Sequence, residues 1–288
     1  MAATTKGAVV VTGASTGIGE ACALHLDKLG FQVFAGVRRE MDAQTLKQKS
    51  SFRLNPIFLD VTDANSIASA ARTVADAVGD AGLFGLVNNA GIAVAGSLEF
   101  LPTDEFRKQI EVNVIGQLAV TQSFIMLLRQ AQGRIVNIGS IGGRSAAPFL
   151  GAYNASKFAM EALTDVLRME LRPWGISISI IEPGAIATPI WKKSLTEMDR
   201  IRQNLPQQAH KLYGNAINAV GNRAATMAQN GISADRVAEA VIHALTAKKP
   251  KTRYLVGQDA RIRAVLNLLP DRVRDRLILN SMGLLTHE

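Results

Sequence analysis

The segment Thr12-Gly13-Ala14-Ser15-Thr16-Gly17-Ile18-Gly19 follows an apolar run near the start of the chain and leads into a stretch of helical period. Its glycines allow a tight turn, and the N–H groups and positive dipole end of the following helix favour a bound anion. A turn at this place in a βαβ unit is typical of a dinucleotide pyrophosphate site. The spacing of Gly13, Gly17 and Gly19 departs from the common G-x-G-x-x-G, so the prediction depends on the position of the turn.

On either side of this turn, short apolar runs rich in β-branched residues alternate with longer segments of helical period. That alternation is typical of repeated βαβ units, in which helices cover both faces of a parallel sheet. It predicts one doubly wound α/β domain of the Rossmann type, with a seven-stranded, mainly parallel sheet and right-handed crossovers. The predicted strands are 8–12, 32–37, 56–60, 83–88, 134–139, 177–182 and 253–256, and the predicted helices are 17–29, 63–78, 103–131, 152–172 and 234–247.

The composition excludes several classes of protein. With 288 residues, 48% of them hydrophobic and 19% charged, the chain can bury a full core, which excludes intrinsic disorder. No run approaches the roughly 18 consecutive apolar residues of a spanning helix, and the N-terminal apolar run is too short for a secretory signal. We therefore expect a cytoplasmic protein. Cys22 is the only cysteine and the four histidines lack ligand spacing, so we expect no metal site.

The net charge of +8 is concentrated near the C-terminus. Between Lys248 and Arg276 there are 9 basic and 3 acidic residues, which account for +6 of that charge. The remainder of the chain is nearly neutral, and aromatic residues are not interleaved with the basic ones. Both features argue against a nucleic-acid partner.

The end of the second predicted strand bears on cofactor choice. Sites that select NAD place an acidic residue there, about 20 residues beyond the glycine turn, to bind the ribose hydroxyls. This chain instead has Arg38 and Arg39, which can pair with the 2′-phosphate of NADP. The alternative is that both arginines only cap a solvated strand end. Asp60 ends the third strand, where it can contact the adenine or form a turn.

Four polar residues further along the chain form a candidate catalytic set. Tyr153 and Lys157 lie four residues apart, so they share one face of the predicted helix, where an ammonium favours the phenolate. A tyrosine and a lysine at this spacing are common by chance. The pair gains support from Ser140, which ends the preceding strand at the edge of the sheet where ligands bind. Asn113 is unfavourable inside a helix and predicts either a local irregularity or a second polar group of the site.

These ordered motifs resemble those of the short-chain dehydrogenase/reductase family over roughly residues 7–257. The resemblance rests on 12–19, Asp60, 88–91, the four polar residues above, and Pro183-Gly184 followed by Thr188. It implies that Asn113, Ser140, Tyr153 and Lys157 form a catalytic tetrad in which Tyr153 is the general acid or base. It also implies a homodimer or homotetramer, and that Thr188 contacts the nicotinamide. The full predicted cofactor set is Gly13, Ser15, Thr16, Gly17, Ile18, Gly19, Arg38, Arg39, Asp60, Val61, Asn89, Ala90, Gly91, Tyr153, Lys157, Pro183, Gly184, Ile186 and Thr188.

A second resemblance indicates the hydroxysteroid and retinol dehydrogenase branch. It rests on Arg144, Pro148 and Phe149, on 252–257, and on Asp259-Ala260. The chain departs from NAD-dependent members of that branch at Arg38. We therefore predict an NADP(H)-dependent carbonyl reductase with a small lipophilic substrate, a steroid, retinoid or long-chain carbonyl or its alcohol. The alternatives are a β-ketoacyl reductase and a catalytically silent NADP sensor. The predicted pocket residues are apolar: Ile92, Val94, Ile141, Phe149, Ile190 and Trp191.

Two segments lie outside the regular alternation. Residues 189–231 contain no clear strand and follow the carboxyl end of one, so we predict a substrate lid; the alternative is a pair of ordinary surface helices. Residues 258–288 form a basic amphipathic extension beyond a catalytic domain at 1–257. That extension has three interpretations: packing on the body over the substrate mouth, which we favour, an intermolecular contact, or weak peripheral contact with anionic lipid.

Overall fold

The computed structural model describes residues 6–284, except for the side chains at 223, 224, 227 and 228. Within this range the chain forms a seven-stranded sheet, parallel at every pairing, in the order β3-β2-β1-β4-β5-β6-β7. The strands are β1 Ala8–Val11, β2 Gln32–Val37, β3 Leu54–Phe58, β4 Gly85–Asn88, β5 Arg134–Ile138, β6 Ser177–Pro183 and β7 Arg253–Val256. The helices are α1 Gly17–Lys28, α2 Glu40–Lys49, α3 Ala64–Val78, α4 Thr103–Ile110, α5 Gly116–Gln130, α6 Gly151–Glu170, α7 Pro189–Gln203, α8 Gln207–Asn230, α9 Ala234–Thr246, α10 Gln258–Leu266 and α11 Asp271–Ser281.

The two faces of the sheet carry two separate apolar layers. Side chains alternate across a strand, so Val9 and Val11 pack with α1 and α9, whereas Val10 packs with α3 and α5. All three valines are fully buried. Because both faces are covered, the central strands read as continuous apolar runs. The predicted doubly wound domain with seven strands is confirmed.

Two helices differ from the predicted elements. The helix α2 was not predicted, because its sequence EMDAQTLKQK buries only Ala43 and Leu46 and shows no clear apolar stripe. The predicted helix 103–131 is continuous but changes character in its middle, where Glu111–Ile115 forms a π-helical turn. That turn holds Asn113, the residue whose presence predicted an irregularity.

The continuous helix Thr103–Gln130 is long and apolar enough to cross a membrane by length and composition alone. Here it covers one face of the sheet, with Val120, Phe124 and Leu128 fully buried in the core. It therefore acts as a core helix of the domain.

The two segments outside the alternation are both helical. Residues 189–231 form α7 and α8, which pack on each other. The extension forms α10 and α11, and α10 contacts β7 and the turn Ile141–Gly143. Residues 285–288, including His287, lie outside the described part of the chain.

Candidate active site

The glycine turn is fastened to the end of β4. The Thr12 hydroxyl oxygen accepts hydrogen bonds from the N–H groups of Asn89 and Ala90, both at 2.9 Å. The Asn89 amide donates to the carbonyls of Thr12 and Gly13, at 2.9 and 3.0 Å. Gly13 has φ +63°, and a Cβ on Gly19 would overlap the Gly13 carbonyl oxygen. Glycine is therefore required for this close packing of turn against helix.

A cleft of about 220 Å³ runs along the carboxyl ends of the strands, next to this turn. Gly19 and Arg39 are absent from its lining, because Gly19 packs against the turn and Arg39 pairs outside the cleft. The predicted cofactor residues that line the cleft are Gly13, Ser15, Thr16, Gly17, Ile18, Arg38, Asp60, Val61, Asn89, Ala90, Gly91, Tyr153, Lys157, Pro183, Gly184, Ile186 and Thr188.

Arg38 and Arg39 have different surroundings. The Arg38 side chain is 71% exposed at the rim of the cleft, with its Nη1 atom 3.8 Å from an Asp60 carboxylate oxygen. Arg39 instead donates two hydrogen bonds to Asp42 in the first turn of α2, at 2.9 and 2.8 Å. The structure thus separates the two arginines that the sequence treated together, because α2 supplies a partner for Arg39.

Asp60 is held at the end of β3 by the following turn. Its carboxylate accepts hydrogen bonds from the Thr62 N–H, at 3.0 Å, and from the Thr62 hydroxyl, at 2.8 Å. Partial burial raises the pKa of Asp60, but these hydrogen bonds and the charge of Arg38 outweigh burial and bring the pKa below its ordinary value. Asp60 is therefore a negative charge at neutral pH, beside Arg38.

Asn113 is fully buried, and the π-helical turn points its amide at the loop after β4. Its oxygen accepts from the Ile92 N–H at 2.9 Å, and its nitrogen donates to the Ile92 carbonyl at 3.0 Å and to the Ser156 hydroxyl at 3.1 Å. Gln109, also fully buried, donates to the same carbonyl at 3.0 Å. No signal in the sequence selects Gln109 or Ser156, since they lie in α4 and α6 and meet only through the packing of these two helices.

Ser140, Tyr153 and Lys157 meet beside the cleft. Ser140 and Tyr153 lie side by side on the wall of the cleft, and the Ser140 oxygen accepts a hydrogen bond from the Gly142 N–H at 3.0 Å. Lys157 is buried, with its Nζ atom 5.8 Å from the centre of the Tyr153 ring. That ammonium group donates to the Ile138 carbonyl at 2.8 Å. The structure therefore brings the predicted tyrosine, lysine and serine together.

Burial shifts the acid–base properties of this group. It raises the pKa of Tyr153, against the opposing effects of the Ser140 hydrogen bond and the positive charge of Arg263. It lowers the pKa of Lys157 to about 8, against the opposing charge of Glu161. Arg263, which was not predicted as a site residue, lies in α10 and reaches the site only because the extension folds back.

A second, mainly apolar cavity of about 750 Å³ opens from Ser140 and Tyr153. Ile141 and Trp191 line it, as predicted from the sequence. Ile190 and Ile92 line the cleft instead, and Val94 is buried in a separate apolar cluster. Phe149, at φ +64°, lies outside the cavity and packs on Tyr213. Two of the six predicted pocket residues therefore line this cavity and four lie elsewhere, because closeness to a strand end in the sequence does not specify which side a residue faces.

The extension supplies much of the wall of this apolar cavity. Residues from both α10 and α11 line it, and the α10 helix is fastened by hydrogen bonds to the loop after Ser140. Arg263 donates to the Ser145 carbonyl at 2.5 Å, and Asn267 donates to the Arg144 carbonyl. The lining residues from the extension are Gln258, Asp259, Ile262, Arg263, Leu266, Leu277, Ile278, Ser281 and Met282.

Comparison with known proteins places this site in a family. A model described as short chain dehydrogenase matches residues 7–199. The chain is 39% identical to retinol dehydrogenase 5 of Mus musculus, over 94% of this chain and 87% of that protein. It is also 39% identical to 17-beta-hydroxysteroid dehydrogenase type 6 of Homo sapiens, over 95% of this chain and 88% of that protein.

Solved structures that superpose on this chain are also short-chain dehydrogenases. A short-chain dehydrogenase from Streptomyces avermitilis superposes with a TM-score of 0.77 at 28% identity, with both chains fully covered. One from Burkholderia cenocepacia J2315, in complex with NADP, has a TM-score of 0.72 at 26% identity and covers 98% of this chain and 99% of its own. The chain belongs to the short-chain dehydrogenase family, whose members bind a nicotinamide cofactor, and is an oxidoreductase related to the retinol and hydroxysteroid dehydrogenases.

Proposed function

We propose that this protein is an NADP(H)-dependent reductase of lipophilic ketones or aldehydes. One observation carries the proposal: Ser140 and Tyr153 line both the glycine-turn cleft and the apolar cavity. A carbonyl group at their hydroxyls has a cofactor site on one side and an apolar space on the other. Two hydroxyls beside a mainly apolar cavity suit one polar atom on an otherwise lipophilic molecule.

The residues of the cleft fit a dinucleotide. The glycine turn lines the cleft at the point where α1 begins, and the N–H groups and positive dipole end of that helix favour a bound pyrophosphate. Arg38 at the rim supports the choice of NADP over NAD, since its guanidinium can pair with a 2′-phosphate, whereas Asp60 is occupied by Thr62. The related Burkholderia enzyme was solved with NADP, which also supports this choice.

When bound, the nicotinamide supplies the hydride for the carbonyl carbon. The Ser140 and Tyr153 hydroxyls donate hydrogen bonds to the carbonyl oxygen and stabilise the negative charge that develops there. Tyr153 then gives its proton to that oxygen, so that the carbonyl becomes an alcohol. Lys157 and Arg263 supply positive charge that favours the resulting phenolate.

The substrate class follows from the walls of the cavity. Trp191, Leu195 and Met198 come from α7, while Ile262, Leu266 and Ile278 come from the extension. Relatives named as retinol and hydroxysteroid dehydrogenases support a steroid, retinoid or long-chain carbonyl. The helices α7 and α8 then act as the substrate lid.

The test is consumption of NADPH and NADH by purified protein over a panel of steroid, retinoid, aliphatic and acetoacetyl carbonyls. We expect NADPH-dependent turnover of lipophilic members, reduced by about 1,000-fold or more in Tyr153→Phe because the proton donor is lost. The variant should still bind NADPH, which fluorescence titration measures. Turnover of acetoacetyl thioesters alone would identify a β-ketoacyl reductase, and NADPH binding without any turnover would identify a sensor.

A further inference from the structure

The glycine-turn cleft and the apolar cavity meet at a junction. Among the described residues, four line both spaces: Ser140, Tyr153, Gly184 and Trp191. The proposed hydride transfer has to cross this junction, because the cofactor lies in the cleft and the carbonyl in the cavity. The nicotinamide end of the cleft is therefore the end at the junction, and the adenosine end is the one at Arg38 and Asp60.

One side of the junction is the loop after β6, residues 184–188. Gly184, Ile186 and Thr188 of this loop line the cleft. Gly184 and Ala185 line the apolar cavity. The loop therefore separates the two spaces, and its position sets the shape of the nicotinamide end.

Distant segments hold this loop through its peptide groups. The Gly184 N–H donates to the Val256 carbonyl of β7 at 2.9 Å, and the Ala185 carbonyl accepts from the Ile232 N–H at 3.1 Å. The Ala185 N–H bonds to a side chain instead, because it donates to the Asp259 carboxylate at 2.7 Å. Asp259 lies in the first turn of α10, 74 residues further along the chain.

The Asp259 carboxylate packs directly on the loop backbone. A Cβ on Gly184 would overlap both of its oxygens, so only glycine allows this close approach. Ala260, the next residue, is fully buried and fixes the start of α10. Nothing in the proposed reduction uses this carboxylate, although it lines the cavity beside Gly184.

The same helix holds the loop on the other side of the junction. Arg263, one turn further along α10, donates to the Ser145 carbonyl at 2.5 Å. Asn267, at the C-terminal end of the helix, donates to the Arg144 carbonyl. Both carbonyls belong to the segment that follows β5. The α10 helix is therefore bonded to the loops on both sides of the junction.

We propose that Asp259 is a positioning residue for the nicotinamide end of the cleft: its carboxylate fixes the loop 184–188 through the Ala185 N–H. The inference rests on the proposed function and deepens it, because it gives a residue of the extension a role in cofactor binding. A charged acceptor makes a strong hydrogen bond, and its loss leaves the N–H without a partner and the loop less fixed. Residues that follow β2 and β3, Arg38 and Asp60, build the adenosine end, which keeps its affinity.

The direct test compares two ligands that differ only in the nicotinamide, NADPH and 2′-phospho-ADP-ribose. Calorimetric titration gives both Kd values for the unmodified chain and for Asp259→Ala. We expect the variant to bind NADPH about tenfold more weakly and 2′-phospho-ADP-ribose within about twofold of the unmodified chain. Asp259→Asn keeps an oxygen that can accept from the Ala185 N–H, so it should recover most of the NADPH affinity.

Asp271→Ala is the matched control. Asp271 lies in the first turn of α11, as Asp259 does in α10, and pairs with Arg274 at 3.0 Å. Its loss should leave both Kd values unchanged. Equal losses for the two ligands in Asp259→Ala, no loss for either, or an Asp259→Asn variant as weak as Asp259→Ala would overturn the proposal. An equal loss of NADPH affinity in Asp271→Ala would also overturn it.

A second measurement uses the unmodified chain and does not depend on the folding of a variant. Mass spectrometry follows hydrogen exchange in the loop 184–188 and in α10 without ligand, with NADPH and with 2′-phospho-ADP-ribose. We expect NADPH to slow exchange in both segments, because Asp259 joins them, and 2′-phospho-ADP-ribose to slow neither. Exchange in α10 that NADPH leaves unchanged would contradict the proposal.

Neither measurement contains a carbonyl substrate, so failure of the proposed function can be told apart from failure of the inference. NADPH binding without turnover over the carbonyl panel would refute the reductase, while the link between Asp259 and the loop was still tested. A preference for NADH would refute the cofactor choice, and the same comparison would then use NADH and ADP-ribose.

Discussion

The side chains of the active site are positioned mostly by buried hydrogen bonds to backbone atoms. Asn113 binds both polar groups of Ile92, and Lys157 binds the Ile138 carbonyl. A buried polar group that loses its partner costs about 1–3 kcal/mol, so these positions are well defined. Arg38 is the contrast, because its side chain is mostly exposed and can reach a ligand at the rim.

At this scale the two neighbouring arginines give a matched pair of variants. We expect Arg38→Ala to weaken NADPH binding by about 10- to 100-fold, because charge-assisted hydrogen bonds to a phosphate are lost, and to leave NADH binding nearly unchanged. Arg39→Ala should change neither by more than about threefold, since Arg39 pairs with Asp42. Fluorescence titration with both cofactors measures this. Equal losses in the two variants would contradict the assignment of Arg38.

At the scale of elements, α7 is tied to α4 across the mouth of the site by an ion-pair network. Lys108 donates to Glu197 at 2.9 Å, and Arg200 binds both Glu105 and Glu197. Hydrogen bonds from Arg200 and Lys108 hold the pKa of Glu197 at about 2. Because the pKa of Glu197 is lower in the folded protein, its ionised carboxylate stabilises the fold at pH values above its ordinary pKa of 4.5. This contribution to the free energy of unfolding is lost as the pH falls toward 2.

Removing this tie tests whether α7 moves as a lid. We expect Arg200→Ala to increase hydrogen exchange over Pro189–Gln203 and to raise the KM for lipophilic substrates, while the Kd for NADPH changes little. Arg107→Ala is the control, since Arg107 pairs within α4, with Asp104. Exchange measured by mass spectrometry that rises equally in both variants would argue against a specific tie.

At the scale of the whole molecule, the C-terminal helices complete the apolar cavity. We expect Ile278→Ser, which makes the wall polar, to raise the KM for lipophilic carbonyls by about fivefold or more. Val273→Ser on the same helix is the control, because Val273 is exposed and lies outside the cavity wall. Steady-state kinetics measure both variants. A KM that is unchanged in Ile278→Ser would mean that substrates do not reach α11.

The same extension also presents an apolar outer surface next to its arginines. Leu268 is 83% and Val265 64% exposed. We propose weak contact with anionic lipid as its second role, beside packing over the cavity. Full-length protein should then cosediment with anionic vesicles at low salt but not with neutral ones, and Leu268→Ser should reduce the bound fraction. Binding that is absent, or unaffected by salt, would reject the lipid role.

Sedimentation velocity tests the proposed homodimer or homotetramer.

The local signals in the sequence determined the sheet, the glycine turn and the grouping of Ser140, Tyr153 and Lys157. Continuous apolar runs, the helical period of 3.6 and a turn between strand and helix can be read locally in the sequence, and the convergence of parallel strand ends follows from topology. The short polar helix α2 escaped these signals, because it buries only two side chains.

Contacts between distant segments were decided only by the tertiary structure. Arg39 turns to Asp42, Phe149 faces away from the cavity, and Arg263 returns from the extension to Tyr153. Likewise, Glu161 and Glu182 are inconspicuous in sequence and come to share Arg253 only because α6, β6 and β7 pack together. Such contacts depend on side-chain direction and on how remote elements pack, and neither is encoded in the spacing of residues along the chain.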